Sequence, residues 1–509
     1  MSGQDTIHDL LQAGAGDDIA IAAPERGGLS YRALRSQVEQ TIAALNGLGI
    51  GNNDRVAIVL PNGAEMATAF VSVACCATTA PLNPAYTQEE FDFYLSDLGA
   101  RALLVEKGSN SPAVAAARGQ DIRILELSAD AGQPAGTFTL EARDAPQAKP
   151  ARGGNACADD VALVLHTSGT TSRPKIVPLS HANVCASAAN IQNTLRLERS
   201  DVCLNVMPLF HIHGLMAAVL ATLGKGATVI AAPGFDALRF FGWLDQGQPS
   251  WYTAVPTMHQ AILARAKRNQ EVIGRSKLRF IRSSSSSLPP QVLLELEQTF
   301  GVPVVEAYAM TEAAHQMTCN QLPPGVRKPG TVGCAAGPEV AIMHESGPEL
   351  LPRGATGEVV IRGSNVTKGY ENNPQANDEC FVNGWFRTGD QGVMDEDGYL
   401  TITGRLKEII NRGGEKISPR EIDDVLMDHA AIQQVVTFAM PHKSLGEEVA
   451  AAVVLRDGCS ADERDIRSFA AERLAPFKVP RKVLILEEIP KGATGKLQRI
   501  GLAEKLGVA

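Results

Sequence analysis

From His166 to Lys175 the chain reads HTSGTTSRPK, a run with the means to grip phosphate. Thr167, Ser168, Thr170, Thr171 and Ser172 offer hydroxyls, Gly169 allows close backbone approach, and Lys175 adds a point charge. The GxxxxGK[ST] spacing of a Walker A loop is missing, which disfavours a P-loop kinase. A Ser/Thr-rich stretch can also be a plain surface loop, so the partners matter. YAMTEAAH brings Tyr308, whose ring could stack on a base, with Thr311 and Glu312 suited to phosphate and Mg2+. WFRTGDQG places Asp390 in a tight turn, where one carboxylate could accept both ribose hydroxyls. GRLKEIINRGGEKISP supplies Arg405, Lys407 and the Gly413–Gly414 turn, and PKGATGKLQR carries Lys496 on a Gly-flanked loop. A nucleotide with its phosphates is the ligand such a set would hold.

These residues need strands and helices to bring them together. Helical and strand patterns alternate over most of the chain, which predicts an α/β fold with mainly parallel sheets. YRALRSQVEQTIAALNGLG reads as a helix, while RVAIVLPN and RALLVEK read as buried strands. MATAFVSVACCATTAPLNP reads as a helix running into a turn, and residues 128–157 as a surface excursion. The apolar strand VALVLHT leads into the phosphate loop, and Ser180 is placed to cap the helix that follows. From Gly354 the pattern changes to short antiparallel strands, GEVVIRG and GYLTITGR. RLKEIINRGGEKISPREIDDVLMDH then suggests a hairpin leading into an amphipathic helix, followed by strands QQVVTFAMP and VAAAVVLRD and a helix over DERDIRSFAAERL. The expected domains are 1–404, large and nucleotide-binding, and 405–509, small and α+β.

Composition excludes several classes. The 509 residues are 44% hydrophobic and 20% charged, with 47 Lys and Arg against 56 Asp and Glu, a formal balance of −9. A mildly acidic chain without a basic tract gives no case for nucleic acid or an anionic membrane as partner. No apolar run approaches the ~20 residues that span a bilayer. MSGQDTIHDL lacks the features of a signal peptide and EKLGVA is not a Ser-Lys-Leu address, leaving the cytoplasm as the expected location. The nine cysteines form no CxxC pair, so they read as reduced thiols rather than a zinc site. Monomer and homodimer both remain open.

TSGTTSRPK, YAMTE, RTGD, GRLKEIINRGGEKISP and ATGKLQR, in this order, resemble the adenylate-forming superfamily of acyl-CoA synthetases, adenylation domains and luciferases. The resemblance runs from about Leu29 to Arg499. It implies a large N-terminal α/β domain and a small C-terminal domain that rotates between two half-reactions, using ATP, Mg2+ and coenzyme A. By that resemblance Lys496 contacts the carboxylate and α-phosphate during adenylation, and Glu312 binds Mg2+. Asp390 holds the ribose, Arg405 contacts ATP, and Lys407 is the hinge. Arg412, Gly413, Gly414 and Lys416 would form the coenzyme A side after rotation. One departure is that Ser172 and Ile176 stand where the usual TSGTTGxPKG has glycines.

By analogy with the same superfamily, PLFHIHGL, IRSSSSSLPP and the end of YAMTEAAHQM line the acyl pocket. They supply His211, His213, the run Ser283–Ser287 and His315, with Ser284 and Ser285 the expected serine contacts. His211 recurs there as a wall of the site whatever the acid, and a His beside a Phe can be simple core. A greasy chain among imidazoles and hydroxyls would strand polar groups at roughly 1–3 kcal/mol each. A dicarboxylate would satisfy them, with an imidazolium able to pair with its distal carboxylate. Within the superfamily these segments, with WYTAVPT, PLNPAYTQEEFDFYLSDL and GSNVTKGYENNP, most resemble the oxalate–CoA ligases. That likeness implies oxalate + ATP + CoA → oxalyl-CoA + AMP + pyrophosphate. The alternatives are a medium- or long-chain fatty acid or aromatic acid–CoA ligase, a carrier-protein-loading adenylation module, and a non-catalytic relative.

Overall fold

A computed structural model describes residues 4–142, 148–167, 174–490 and 497–509. The alternating pattern builds two large, mainly parallel sheets. One has nine strands, parallel through Val304–Met310, Phe280–Ser284, Trp251–Ala254, Val202–Asn205, Thr228–Ala231 and Ile19–Ala23. The other has seven, parallel through Arg123–Ser128, Ala102–Glu106, Arg55–Val59, Thr78–Pro81 and Val161–Thr167. Antiparallel strands close the edges of both, among them Lys175–Ser180 and His315–Cys319. Central strands such as Phe280–Ser284 are buried along their whole length, as parallel strands covered on both faces must be. The nearly all-apolar helix Ala64–Ala74 lies in one core cluster with residues of both sheets, including Ile58, Leu163, Ile21 and Val229.

Ser180 caps the helix His181–Thr194 as expected, its hydroxyl accepting from Asn183 N while Asn183 answers with its own side chain. Two expectations are corrected. The turn read after the helix at 64–74 is the strand Thr78–Pro81, too short to show a period yet buried on both faces. The excursion at 128–157 is partly packed: Thr139–Ala142 pairs with Arg123–Ser128, and Ala135 and Phe138 are buried.

Beyond the large sheets, five antiparallel strands follow the turn-rich sequence: Glu339–Met343, Thr356–Arg362, Phe381–Val382, Trp385–Met394 and Leu400–Arg405. The last sheet joins the hairpin Ile410–Arg412/Glu415–Ile417 to Ile432–His442, Gly446–Leu455 and Lys482–Ile485. Ile422 and Leu426 of the helix Pro419–Met427 share an apolar cluster with Val292, Leu293 and Leu296 of the helix Pro290–Phe300. Among the described residues no helix is long and apolar enough to cross a membrane.

Candidate active site

Asp390 sits opposite Arg405 in the register of Trp385–Met394 with Leu400–Arg405. The tight turn expected at Asp390 is instead the interior of the strand Trp385–Met394, at an irregularity where its pairing with Thr356–Arg362 jumps from Arg387 to Gln391: Gly389 at φ +76° gives its N–H to Glu358 Oε1 at 2.8 Å, and Glu358 is held by Arg387 at 2.6 Å. Both oxygens of Asp390 are engaged, Oδ2 by the Tyr308 hydroxyl and Oδ1 by Arg405 Nε at 3.0 Å. Burial, then the neighbouring Asp390 charge, push the Tyr308 phenol well above its usual range, so it stays a donor. The Asp390 charge also raises the Arg405 pKa. Tyr308, Asp390 and Arg405, read separately from the sequence, meet here.

Glu312 lies in the single helical turn Thr311–Ala313 between the strands Val304–Met310 and His315–Cys319. Its carboxylate is 7% exposed and accepts from the Tyr370 hydroxyl at 2.7 Å. Lys175 Nζ stands 4.4 Å over the same tyrosine ring. Burial raises the Glu312 pKa, and Tyr370, Arg405 and Lys175 oppose it. Lys175 is paired across the sheet with Thr167, so the two ends of the phosphate loop are neighbours. Ser168, Gly169, Thr170 and Thr171 of that loop, and Lys496, lie outside the described residues.

The segments expected to line the acyl pocket converge at the C-terminal ends of the parallel strands of the nine-stranded sheet. His213 begins a buried stretch of π-helix, His213–Leu220, a winding often found at functional sites. Its Nδ1 lies 3.0 Å from Ser285 Oγ, and its Nε2 lies 2.6 Å from Thr253 Oγ1. The His315 ring meets the His213 ring edge-on at 5.1 Å between centroids. Ser285 (φ +74°) and His315 (φ +104°) are non-glycine residues with left-handed backbone, strain that persists where surrounding structure enforces it. The enforcement is visible beside His315: Ser187 Oγ donates to Ala314 O at 2.5 Å, and Asn365 Nδ2 to Ala313 O at 2.8 Å. Ser284 is fully buried and gives its hydroxyl hydrogen to Ala307 O at 2.9 Å, a strand-to-strand tie. His211 is half-buried, with Nδ1 accepting from His213 N at 3.3 Å.

Gly413 and Gly414 form the hairpin turn, at φ +61° and +99°, against Leu445 and Asn411 of the same sheet region. Lys407 is exposed in the turn between the last two sheets. Several residues of the site were not singled out from the sequence. Tyr370 joins Glu312 to Lys175, and its signal was its place in GYENNP after Gly369. His166, just before the phosphate loop, binds Asp97 at 2.9 Å and packs edge-on against Tyr94 at 4.7 Å. Burial lowers its pKa while Asp97 opposes. Thr253, Arg282 and Gln316 stand behind His213; they lie within WYTAVPT, IRSSSSSLPP and YAMTEAAHQM, where nothing set them apart from their neighbours.

The family model described as "AMP-binding enzyme" matches residues 11–371, and "AMP-binding enzyme C-terminal domain" matches residues 421–496. The chain is 46% identical over 504 residues to an oxalate–CoA ligase of Arabidopsis thaliana, covering 97% of each chain. It is 42% identical over 519 residues to an oxalate–CoA ligase of Saccharomyces cerevisiae, covering 96% of this chain and 94% of that one. Among solved structures, the ATP-bound MatB of Rhodopseudomonas palustris superposes with a TM-score of 0.88 at 28% identity, covering 98% of both chains.

Proposed function

The chain belongs to the AMP-binding enzyme family and is an AMP-forming acid–CoA ligase, and we propose that the acid it activates is oxalate. The observation that carries this reading is the wall of the acyl pocket. The imidazoles of His213 and His315 are buried and meet at 5.1 Å, and Ser285 Oγ adjoins them at 3.0 Å from His213. Such a site rewards a small acid with a second polar end and leaves its own polar groups stranded against a hydrocarbon chain. Likeness to two oxalate–CoA ligases over nearly the whole chain supports the same choice.

In this reading an oxalate oxygen attacks the α-phosphorus of ATP and pyrophosphate leaves. The thiol sulfur of coenzyme A then attacks the activated carbonyl and AMP leaves. Lys175, Thr167 and residues 168–171 cradle phosphate, Thr311 assists, and Asp390 with Tyr308 receives the ribose and base. Arg405 holds the carboxylate of Asp390 in place. Lys496 stabilises the charge that builds at phosphorus. Glu312 would hold Mg2+: it is an oxygen donor, oriented by Tyr370, and the nearby Lys175 and Arg405 favour its charged form. That ion would neutralise charge on the departing pyrophosphate. The domain from residue 405 onward turns about Lys407, bringing Arg412, Gly413, Gly414 and Lys416 to coenzyme A; His211 walls the site between the two steps. The nine cysteines are unpaired, which suits the cytoplasm.

The test is CoA-dependent AMP release with oxalate, malonate, acetate, octanoate and coumarate. Oxalate should exceed octanoate in kcat/KM by about 1,000-fold or more. Faster turnover of octanoate or coumarate would overturn the choice of acid.

A further inference from the structure

Arg282 has no part in the reaction as written above, yet it lies at the back of the acyl pocket with no accessible surface. Charged side chains are almost never fully buried unless paired, because an isolated ion loses its hydration for nothing. Among the described residues its guanidinium meets no carboxylate. Nη1 lies 3.4 Å from His213 Nε2 and 3.4 Å from Thr253 Oγ1, Nη2 lies 3.2 Å from Gln316 Oε1, and Nε has no partner. Burial lowers its pKa to about 10, which leaves it charged at neutral pH.

A guanidinium donates and cannot accept, so each of these bonds has one possible direction. A hydrogen on His213 Nε2 would point into those of Nη1, so the guanidinium disfavours one there. Thr253 Oγ1 must accept, which leaves the threonine hydrogen for His213 Nε2 at 2.6 Å. The single lone pair of Nε2 takes the threonine hydrogen, the cation beside it keeps a second hydrogen away, and the ring proton is placed on Nδ1. From there it is given to Ser285 Oγ at 3.0 Å. Ser285 accepts from the imidazole, and its own hydrogen is left to donate. Gln316 obeys the same rule: its Oε1 faces Arg282, and its Nε2 donates to Thr194 Oγ1 at 3.1 Å.

We propose that Arg282 is the positioning residue of the acyl pocket: unable to accept, it directs the hydrogens of Thr253, His213 and Ser285 toward the substrate and makes Ser285 an obligate donor to its distal carboxylate. This rests on reading the pocket as the acyl site for a dicarboxylate. It replaces the imidazolium expected from the sequence with a neutral His213 backed by a permanent cation. The negative charge that Arg282 lacks among the described residues arrives with the acid. Oxamate, an isostere with a neutral amide in place of the distal carboxylate, brings no charge to that end and offers an amide donor where Ser285 already donates.

Two measurements decide it. The first uses the whole unliganded protein with 15N-labelled histidine at neutral pH, the His213→Asn variant identifying the signal. His213 should be the neutral tautomer protonated on Nδ1; an Nε2–H tautomer or an imidazolium overturns the proposal. The second compares oxalate with oxamate. Arg282→Met should raise KM for oxalate by about 100-fold and collapse the preference for oxalate over oxamate. KM for ATP should change by less than about threefold. Arg282→Lys, which keeps a donor-only cation, should restore part of the preference; no recovery in a folded Arg282→Lys protein, or an unchanged preference in Arg282→Met, overturns it. If Arg282→Met fails to fold, the wild-type tautomer and Arg282→Lys still decide. Octanoate outrunning oxalate in the wild type overturns the substrate reading, while the tautomer continues to decide the direction of the protons.

Discussion

The two ends of the proposed site are built in opposite ways. At the acyl end Arg282, His213, Ser284 and His315 have no accessible surface, and all come from one sheet and the helix packed on it. At the nucleotide end the Arg405 side chain is 49% exposed, and the groups come from separate sheets. Its expected catalytic lysine, Lys496, comes from the last residues of the chain. An interlocked, buried arrangement suits recognition of a small anion, because it orients the half-buried Ser285 before the acid reaches it. In the proposed reaction this end admits ATP and later coenzyme A, and groups drawn from separate elements would let it open between the two.

The widest separation of the two ends should come from Lys496→Ala. Adenylate formation should fall by about 100- to 10,000-fold, while thioester formation from supplied oxalyl-adenylate stays within a few-fold. Single-turnover assays of each half-reaction check this, and equal losses in both would erase the distinction. His315→Ala should raise KM for oxalate by about 10- to 100-fold and leave KM for ATP in place. Were neither constant to move, the imidazole would be packing. Asp390→Asn should show the mirror image at about 10-fold: KM for ATP rises as the ribose loses a charged acceptor, and KM for oxalate holds.

The smallest effect concerns the other face of the same strands. Glu306, cross-strand neighbour of Ser283, is fully buried; Oε1 accepts from Leu288 N at 2.8 Å, and Oε2 has no partner. Burial pushes its carboxyl up to about 7, with Arg420 opposing and Asp424 adding to the rise. A raised folded pKa means the native state holds this proton more tightly than the unfolded chain. The stability it contributes is therefore full below about pH 4.5 and lost as pH climbs toward 7. Glu306→Gln should flatten that decline and stabilise the protein at pH 8 by on the order of 1–3 kcal/mol, with little change at pH 4.5. Thermal unfolding at the two pH values measures it. Equal shifts at both would mean that the carboxyl does not titrate in this window. Activity should follow stability and not oxalate recognition, since Glu306 points away from the acyl pocket.

Groups that act locally could be read from residue order. Ser180 caps its helix through Asn183, a bond three residues long, and the hairpin at Gly413–Gly414 forms between adjacent strands. The alternation of apolar stretches was enough for an α/β chain of mainly parallel sheets, since burial on one or both faces writes itself into every element. The motifs offered candidate nucleotide groups because each carries its chemistry in nearly consecutive residues, and the fold brings Tyr308, Asp390 and Arg405 together. What the order of residues could not determine is who stands behind whom. His213 and Arg282 are 69 positions apart, Glu312 and Tyr370 are 58 apart, and His166 and Asp97 are 69 apart. Arg282 has the look of an ordinary charged residue in a strand until the fold buries it completely and, among the described residues, gives it no carboxylate. Its charge is a property of the side chain; the direction it imposes on its neighbours' protons exists only where tertiary packing holds them within hydrogen-bond distance in a dry interior.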